Sequence, residues 1–311
     1  MHKYYKRFIF GFVILFVISC ERENSPYQIN DSITIDQEKI HRKALIIGID
    51  GFRSDVMNLT STPFINDLIQ NKNTFSSLNH ICEGITYSGP NWSSILTGVH
   101  MNKHQIFNNS FDDDNFDQYP SFFYFISESQ SDKKTASVVN WLPINSKLMN
   151  NFTNYSTSSY MNDFSVFETT KNLITDNNPI NADIIFIQFD ELDATGHSFG
   201  FSPEVEEYVN KANEIDSYCN QLYNLIEGKR GAGEDWIFII VSDHGGEGTS
   251  HGDADNPNVN RTLISVEHPS LEFKNSNFYS SQADIGKTVL DFIGISSEYF
   301  NNITDGESLN Y

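Results

Sequence analysis

Six side chains able to hold a metal ion stand in short motifs, most of them just behind an apolar run. Asp50 begins Asp-Gly-Phe-Arg (50–53) after Ala44–Ile49. Asp193 and His197 begin and end Asp-Ala-Thr-Gly-His (193–197), shortly after Ile184–Phe189. Asp243 and His244 lie in Ser-Asp-His-Gly (242–245) after Trp236–Val241, and His251 precedes Gly252. Carboxylate and imidazole ligands suit zinc, and three of each suit a two-metal hydrolytic centre with ions roughly 4 Å apart. A lone histidine is by default a hydrogen-bonded structural group, and His80, His100, His104 and His268 are read that way. The other three stand beside glycines in ordered motifs, and the set predicts joint metal binding.

These side chains need a scaffold that brings distant stretches together. Ala44–Ile49 is a continuous, β-branched run, as expected for a strand covered on both faces of a parallel sheet. Asp183–Phe189 and Trp236–Val241 read the same way, which puts Asp50, Asp190–Asp193 and Asp243 beyond strand carboxyl ends, where open α/β sheets bind ligands. Thr62-Pro63 is expected to open a helix running to Gln70, and Ser202-Pro203 a long one to about Glu227, because proline after a Ser or Thr cap marks a helix entry. Arg261–Val266 is expected as a further strand and Gln282–Gly294 as a closing helix. The alternation predicts a mainly parallel central sheet flanked by helices on both faces, a three-layer α/β/α fold. Residues 140–179, rich in Asn, Ser and Tyr, are the least readable: pocket-shaping loops and a surface insertion account for them equally well.

In these motifs and their order the chain resembles the alkaline phosphatase superfamily, most closely its nucleotide pyrophosphatase/phosphodiesterase branch, over about Lys43 to Gly294. The resemblance implies an alkaline phosphatase-like fold and two zinc ions per chain. One zinc would be held by Asp50, the nucleophile Ser88, Asp243 and His244, the other by Asp193, His197 and His251. Ser88-Gly89-Pro90-Asn91-Trp92-Ser93-Ser94-Ile95-Leu96-Thr97-Gly98 resembles the family's nucleophile turn, in which the reactive hydroxyl caps a helix whose amides attract phosphate oxygens. Asn109 corresponds by spacing to an Asn that binds a nonbridging phosphate oxygen, with Asn108 as its rival should the loop slip by one. Ser88 as a plain helix cap and Asn109 as a plain turn residue are the alternatives. Thr86, out of register, and Ser93 and Ser94, one turn into the helix, are weaker nucleophile candidates. Asn91 reads as structural, as does Asp216 in the long helix, and Arg53 as loop support.

Sulfatases share this scaffold, and Ser88-Gly89-Pro90 resembles the start of their signature, but Trp92 stands where its arginine belongs. The histidines therefore argue for phosphorus rather than sulfur. No arginine lies between Ser88 and Asn115 to neutralise a phosphomonoester dianion, which favours a monoanionic diester. The expected activity is a zinc-dependent phosphodiesterase or nucleotide pyrophosphatase acting through a phosphoserine. A phosphomonoesterase on the same bimetal site and a noncatalytic binding lipoprotein are the alternatives. The expected partner is a small phosphate ester, of nucleotide or phospholipid-headgroup class, with Tyr87, Trp92, Phe107 and Phe111 as aromatics near the nucleophile.

The amino terminus reads as a targeting segment. Lys3, Lys6 and Arg7 precede an apolar run, Phe8–Ile18, that ends at Val17-Ile18-Ser19-Cys20 and is too short to span a membrane as a mature helix. A small residue directly before Cys resembles the lipobox of bacterial lipoproteins. The expected organisation is a signal peptide at 1–19, a lipidated Cys20 with a polar tether at 20–40, and one catalytic domain at 41–311 on an exported, membrane-anchored protein, periplasmic or at the cell surface. The balance of 41 Asp plus Glu against 20 Lys plus Arg gives no basic surface for extended nucleic-acid binding. Cys82 and Cys219 either pair or remain two buried thiols.

Overall fold

The computed structural model describes residues 32–311 except 58–59, 72, 130, 150, 176–179 and 276. The expected signal peptide and Cys20 lie outside the described residues. Nine strands are described: β1 (Thr34–Ile35), β2 (Arg42–Ile49), β3 (Thr74–Ile81), β4 (Thr135–Val139), β5 (Tyr155–Ser156), β6 (Ile184–Phe189), β7 (Asp235–Ser242), β8 (Arg261–Glu267) and β9 (Ile295–Ser296). The helices are α1 (Pro63–Ile69), α2 (Ser88–Thr97), α3 (Met101–His104), α4 (Phe122–Glu128), α5 (Asp163–Ile174), α6 (Glu191–Phe199), α7 (Glu206–Gly231), α8 (Pro257–Asn260), α9 (Asp284–Ile293) and α10 (Glu298–Ile303).

Seven strands form one sheet in the order β3-β8-β7-β2-β6-β4-β5. β7, β2, β6, β4 and β5 pair in parallel, and β8 runs antiparallel to both its neighbours. The period-2 alternation of strand side chains sorts the continuous apolar runs into two cores. Ala44, Ile46, Ile184, Phe186, Ile237 and Ile239 face one layer with Trp92, Phe122 and Val289 from α2, α4 and α9. Leu45, Ile47, Ile185, Ile187, Phe238 and Ile240 face the other with Ile65, Phe167, Ile215 and Leu222 from α1, α5 and α7. This is the mainly parallel, three-layer α/β/α architecture expected from the sequence.

Three local readings change. α7 begins at Glu206 rather than at Ser202-Pro203 and continues to Gly231. Phe201 N–H donates to the Gly248 carbonyl (2.7 Å) in an isolated bridge, and Ser202 Oγ accepts from Glu204 N–H in a turn before the helix. Residues 34–36 of the expected tether are part of the folded body: β1 pairs with β9, and Asp36 N–H donates to the Gly294 carbonyl (2.7 Å). Finally, 140–175 supplies the edge strand β5 and α5, whose buried Val166, Phe167, Thr170, Leu173 and Ile174 seat it on the sheet, so it is an integral layer and not an insertion. Cys82 and Cys219 are both free, buried thiols. Asp216 accepts from Phe64 N–H (3.0 Å) and Ile65 N–H (2.8 Å), tying the start of α1 to α7.

Candidate active site

β2 lies between β7 and β6, with Ile49 level with both Ser242 and Phe189. Parallel pairing in this register delivers Asp50, the β6–α6 segment and Asp243-His244 to one edge of the sheet. Asp50, Asp243 and His244 are buried there, and Asp193 is nearly so. Donor atoms of Asp193, His197 and His251 lie within 4.8 Å of one another, as do those of Asp50, Asp193 and His244. Asp193 thus belongs to both groups. Asp243, expected beside Asp50 and His244, has its Oδ1 accepting from Gly51 N–H (3.2 Å) and His244 N–H (2.9 Å), which leaves Oδ2 3.3 Å from His244 Nε2.

All three histidines are oriented alike. Nδ1 of His197, His244 and His251 lies 2.9, 2.8 and 2.7 Å from the carbonyl oxygens of Thr249, Gly245 and Thr86. A carbonyl accepts only from N–H, so each Nδ1 carries the proton and each Nε2 is turned toward the carboxylates, the arrangement of a metal-ligating imidazole. Asp193 Oδ1 and Asp243 Oδ2 are buried without a hydrogen-bond partner. Burial, then the Asp193 charge, pushes Asp50 up to about 8, and burial pushes Asp243 up as well. Burial pulls His244 down, and burial, then His244, pulls His251 down to about 4, whereas the hydrogen bond to Asp193 lifts the half-exposed His197 to about 9. Crowded carboxylates short of positive charge, orphaned carboxylate oxygens and two imidazoles held neutral fit a cation, whose ligands must be deprotonated.

Ser88 is the first residue of α2 and makes no side-chain cap; the preceding Tyr87 is the cap residue. Its Oγ instead lies 3.4 Å from Asp50 Oδ1 and 3.3 Å from His244 Nε2. Gly89 N–H donates to Asn109 Oδ1 (2.8 Å), which ties Asn109 to the residue after Ser88 and keeps its Nδ2 as the amide's donor. The early amides of α2 are therefore less available than expected, since Gly89 serves Asn109, Pro90 has no N–H and Asn91 donates to Tyr87 (3.4 Å). Asn108 folds onto Ser110 as a turn residue. Ser93 Oγ donates to Gly89 O and Ser94 Oγ bonds Glu83 and His104. Trp92 and Phe111 are core residues, and Tyr87 and Phe107 are exposed. Arg53 is loop support, donating to Phe201 O (2.5 Å) and pairing with Asp55 and Glu247.

A family model for type I phosphodiesterase / nucleotide pyrophosphatase matches residues 44–284, a span that contains every one of these side chains. The chain belongs to that family. Bovine (Bos taurus) bis(5'-adenosyl)-triphosphatase ENPP4 is 27% identical over 223 residues, 65% of this chain and 47% of that protein. The chain thus spans about half the length of the curated relatives it matches. Murine ectonucleotide pyrophosphatase/phosphodiesterase 5, solved as an inactive variant with AMP, aligns with a TM-score of 0.62 at 15% identity over 87% of this chain and 100% of that one. The C-terminal periplasmic domain of EptC from Escherichia coli, solved with zinc, aligns with a TM-score of 0.57 at 16% identity over 86% of each chain. These likenesses establish the fold as alkaline phosphatase-like.

Several supporting residues of this family member escaped the sequence reading. Asp163 accepts from Asp190 N–H (2.9 Å) and Glu191 N–H (3.1 Å), bracing the start of α6, the helix that carries Asp193 and His197. Phe201 lies against Gly196 and Gly246, where a Cβ would stand 2.3 Å from the ring, so both metal motifs close over one aromatic. Thr86 holds His251 twice, through its carbonyl and its hydroxyl. Gln282 donates to the carbonyls of Ser242 (3.1 Å) and Asp243 (2.7 Å) and receives His80 Nε2 (2.9 Å). None sits in a motif; only the Asn162 cap and the helical spacing of 166–174 offered a signal, for α5.

Burial of His80 lowers its pKa to about 4 from 6.5. The folded state resists protonation that the unfolded chain accepts, so the contribution is intact above pH 6.5 and is lost as pH falls toward 4. Between pH 7 and pH 5 the loss is about 2 kcal/mol. His80→Gln is expected to remove most of that drop, read as urea midpoints at the two pH values. An unchanged pH dependence would locate the acid sensitivity elsewhere.

Proposed function

We propose that this chain is a zinc-dependent phosphodiesterase or nucleotide pyrophosphatase that works through a phosphoserine at Ser88. The observation that carries the reading is the Ser88 hydroxyl directed at Asp50 and His244, beside two ligand groups that share Asp193, in a member of this family. Asp50 and His244, flanked by Asp193 and Asp243, would hold one zinc with Ser88; Asp193, His197 and His251 would hold the other. Zinc supplies charge neutralisation at phosphoryl oxygens and a lowered pKa for a neighbouring hydroxyl.

Ser88 Oγ gives its proton to solvent and bonds to phosphorus in line, and the opposite P–O bond breaks to release an alcohol or phosphate whose oxygen takes a proton from solvent. Water then hydrolyses the phosphoserine from the face left open. Asn109 Nδ2 donates to a nonbridging oxygen in both steps. Arg53 is committed to Phe201, Asp55 and Glu247, which withholds its charge from a dianion and supports the diester over the monoester. ENPP4, named a bis(5'-adenosyl)-triphosphatase, points to dinucleoside polyphosphates as substrates to try. The test is hydrolysis of bis-p-nitrophenyl phosphate against p-nitrophenyl phosphate in zinc. The expected result is a preference for the diester of at least tenfold in kcat/KM; the reverse preference would make the protein a phosphomonoesterase.

We also propose, from Val17-Ile18-Ser19-Cys20 behind its apolar run, that the protein is exported and lipid-anchored. Metabolic labelling with a radioactive fatty acid is expected to mark the wild type and not Cys20→Ala; equal labelling, or none, would remove the anchor.

A further inference from the structure

We infer that Trp92 and Gln188 form a two-donor clamp on one oxygen of Asp50, positioning its other oxygen for metal and Ser88, an inference that rests on the metal reading above. Asp50 is buried at the end of β2. Its Oδ2 accepts from Trp92 Nε1–H (2.9 Å), on α2, and from Gln188 Nε2–H (3.0 Å), on the neighbouring strand β6. Two donors from different elements occupy that oxygen. Oδ1 is left 3.4 Å from Ser88 Oγ and 3.4 Å from His244 Nε2. One oxygen is committed to the scaffold and the other to the site.

Each donor is itself held. The fully buried Trp92 ring meets Phe186 edge to face, with centroids 5.9 Å apart, and lies over Gly48, where a Cβ would stand 2.4 Å from the ring. Tryptophan at 92 and glycine at 48 are thus a matched pair: any larger residue on that strand position would push the indole off Asp50. The indole nitrogen is a donor only, so a buried Trp92 must find an acceptor, and Asp50 is that acceptor. Gln188 Oε1 accepts from Trp141 N–H (2.9 Å), which fixes the amide with its nitrogen toward Asp50. The same Nε2 reaches Asp190 Oδ1 (3.0 Å), so the amide also ties Asp50 to the start of α6. Trp92 and Gln188 act through Asp50 and are positioning residues, in the manner of the outer partners that orient metal-ligating groups.

The alternative is that both side chains merely fill the core. Trp92→Phe keeps a ring over Gly48 without the donor, and Gln188→Met keeps the length of the side chain without the donor. Their collateral damage differs, a gap near Phe186 in one and loss of the Trp141 N–H and Asp190 bonds in the other, whereas the lost bond to Oδ2 is common to both. The measurement is zinc affinity of the full chain by chelator competition, beside unfolding of the metal-stripped protein. Each variant is expected to bind zinc roughly 10- to 100-fold more weakly than wild type, and the double variant more weakly than either. Affinity within about twofold of wild type in whichever variants fold would overturn the clamp, whatever their melting temperatures. A wild-type chain that holds no zinc would instead overturn the metal reading, and the clamp with it.

Discussion

Ser88→Ala is expected to lower hydrolysis of bis-p-nitrophenyl phosphate by roughly 10⁴-fold or more, because it deletes the atom that bonds to phosphorus. No neighbouring hydroxyl is placed to substitute. Ser93 and Ser94 are fully buried and bonded within α2 and to Glu83 and His104, and Thr86 is bound to the His251 backbone. Ser88→Thr retains the hydroxyl at the same helix position and should keep measurable turnover. Rapid-quench detection of a covalent phosphoenzyme in the wild type, absent from Ser88→Ala, would tie the loss to nucleophilic attack. Activity of Ser88→Ala within tenfold of wild type would rule Ser88 out as the nucleophile and leave water as the attacking group.

Asp193→Ala should be more damaging to metal content than any other single ligand change. The family resemblance assigns Asp193 to one zinc only, with His197 and His251. In the folded chain a carboxylate oxygen of Asp193 also lies within 4.8 Å of ligand atoms of Asp50 and His244, and its Oδ1 is one of the buried oxygens without a hydrogen-bond partner. The expected result is near-complete loss of zinc from Asp193→Ala and loss of about one of two ions from His197→Ala. Activity should fall by several orders of magnitude in the first. Zinc per chain after dialysis, by atomic absorption, is the measurement. If Asp193→Ala keeps one tightly bound zinc, the two groups are independent and the shared carboxylate is not a bridge between them.

The strands that carry the ligands were legible because of where they sit. β2, β6 and β7 are covered on both faces, so their sequences are unbroken apolar runs, and a polar motif directly behind such a run marks the strand's carboxyl end. The structural roles of Asp216 and Asn91, which lie outside the metal motifs, were legible as well, Asn91 tying Glu83 N–H (2.8 Å) and Ile85 O (3.1 Å) to the turn, and so was that of Arg53 at the end of the first motif. α5 was less so: Asn162 and the spacing Val166, Phe167, Thr170, Leu173, Ile174 carry a helix signal, but it sits in a stretch whose polar composition dominates the local reading. The start of α7 was misplaced because Ser202-Pro203 has the composition of a helix entry, whereas bridging of Phe201 to the distant Gly248 and the Ser202–Glu204 turn delay the helix to Glu206.

By itself the sequence determined the three-layer scaffold, the three strand ends and six side chains available as metal ligands, because apolar runs and the polar residues that end them are local properties of the chain. Tertiary structure alone decided how those ligands group. The nearness of Asp193 to both groups, the hold of Gly51 on one oxygen of Asp243, and the hold of Trp92 and Gln188 on Asp50 all join residues far apart in sequence. Their distances are set by the parallel register of β7, β2 and β6 and by the packing of α2 over Gly48. Such contacts leave no periodicity or spacing in the chain, since each depends on which oxygen of a carboxylate faces which neighbour once the sheet has formed.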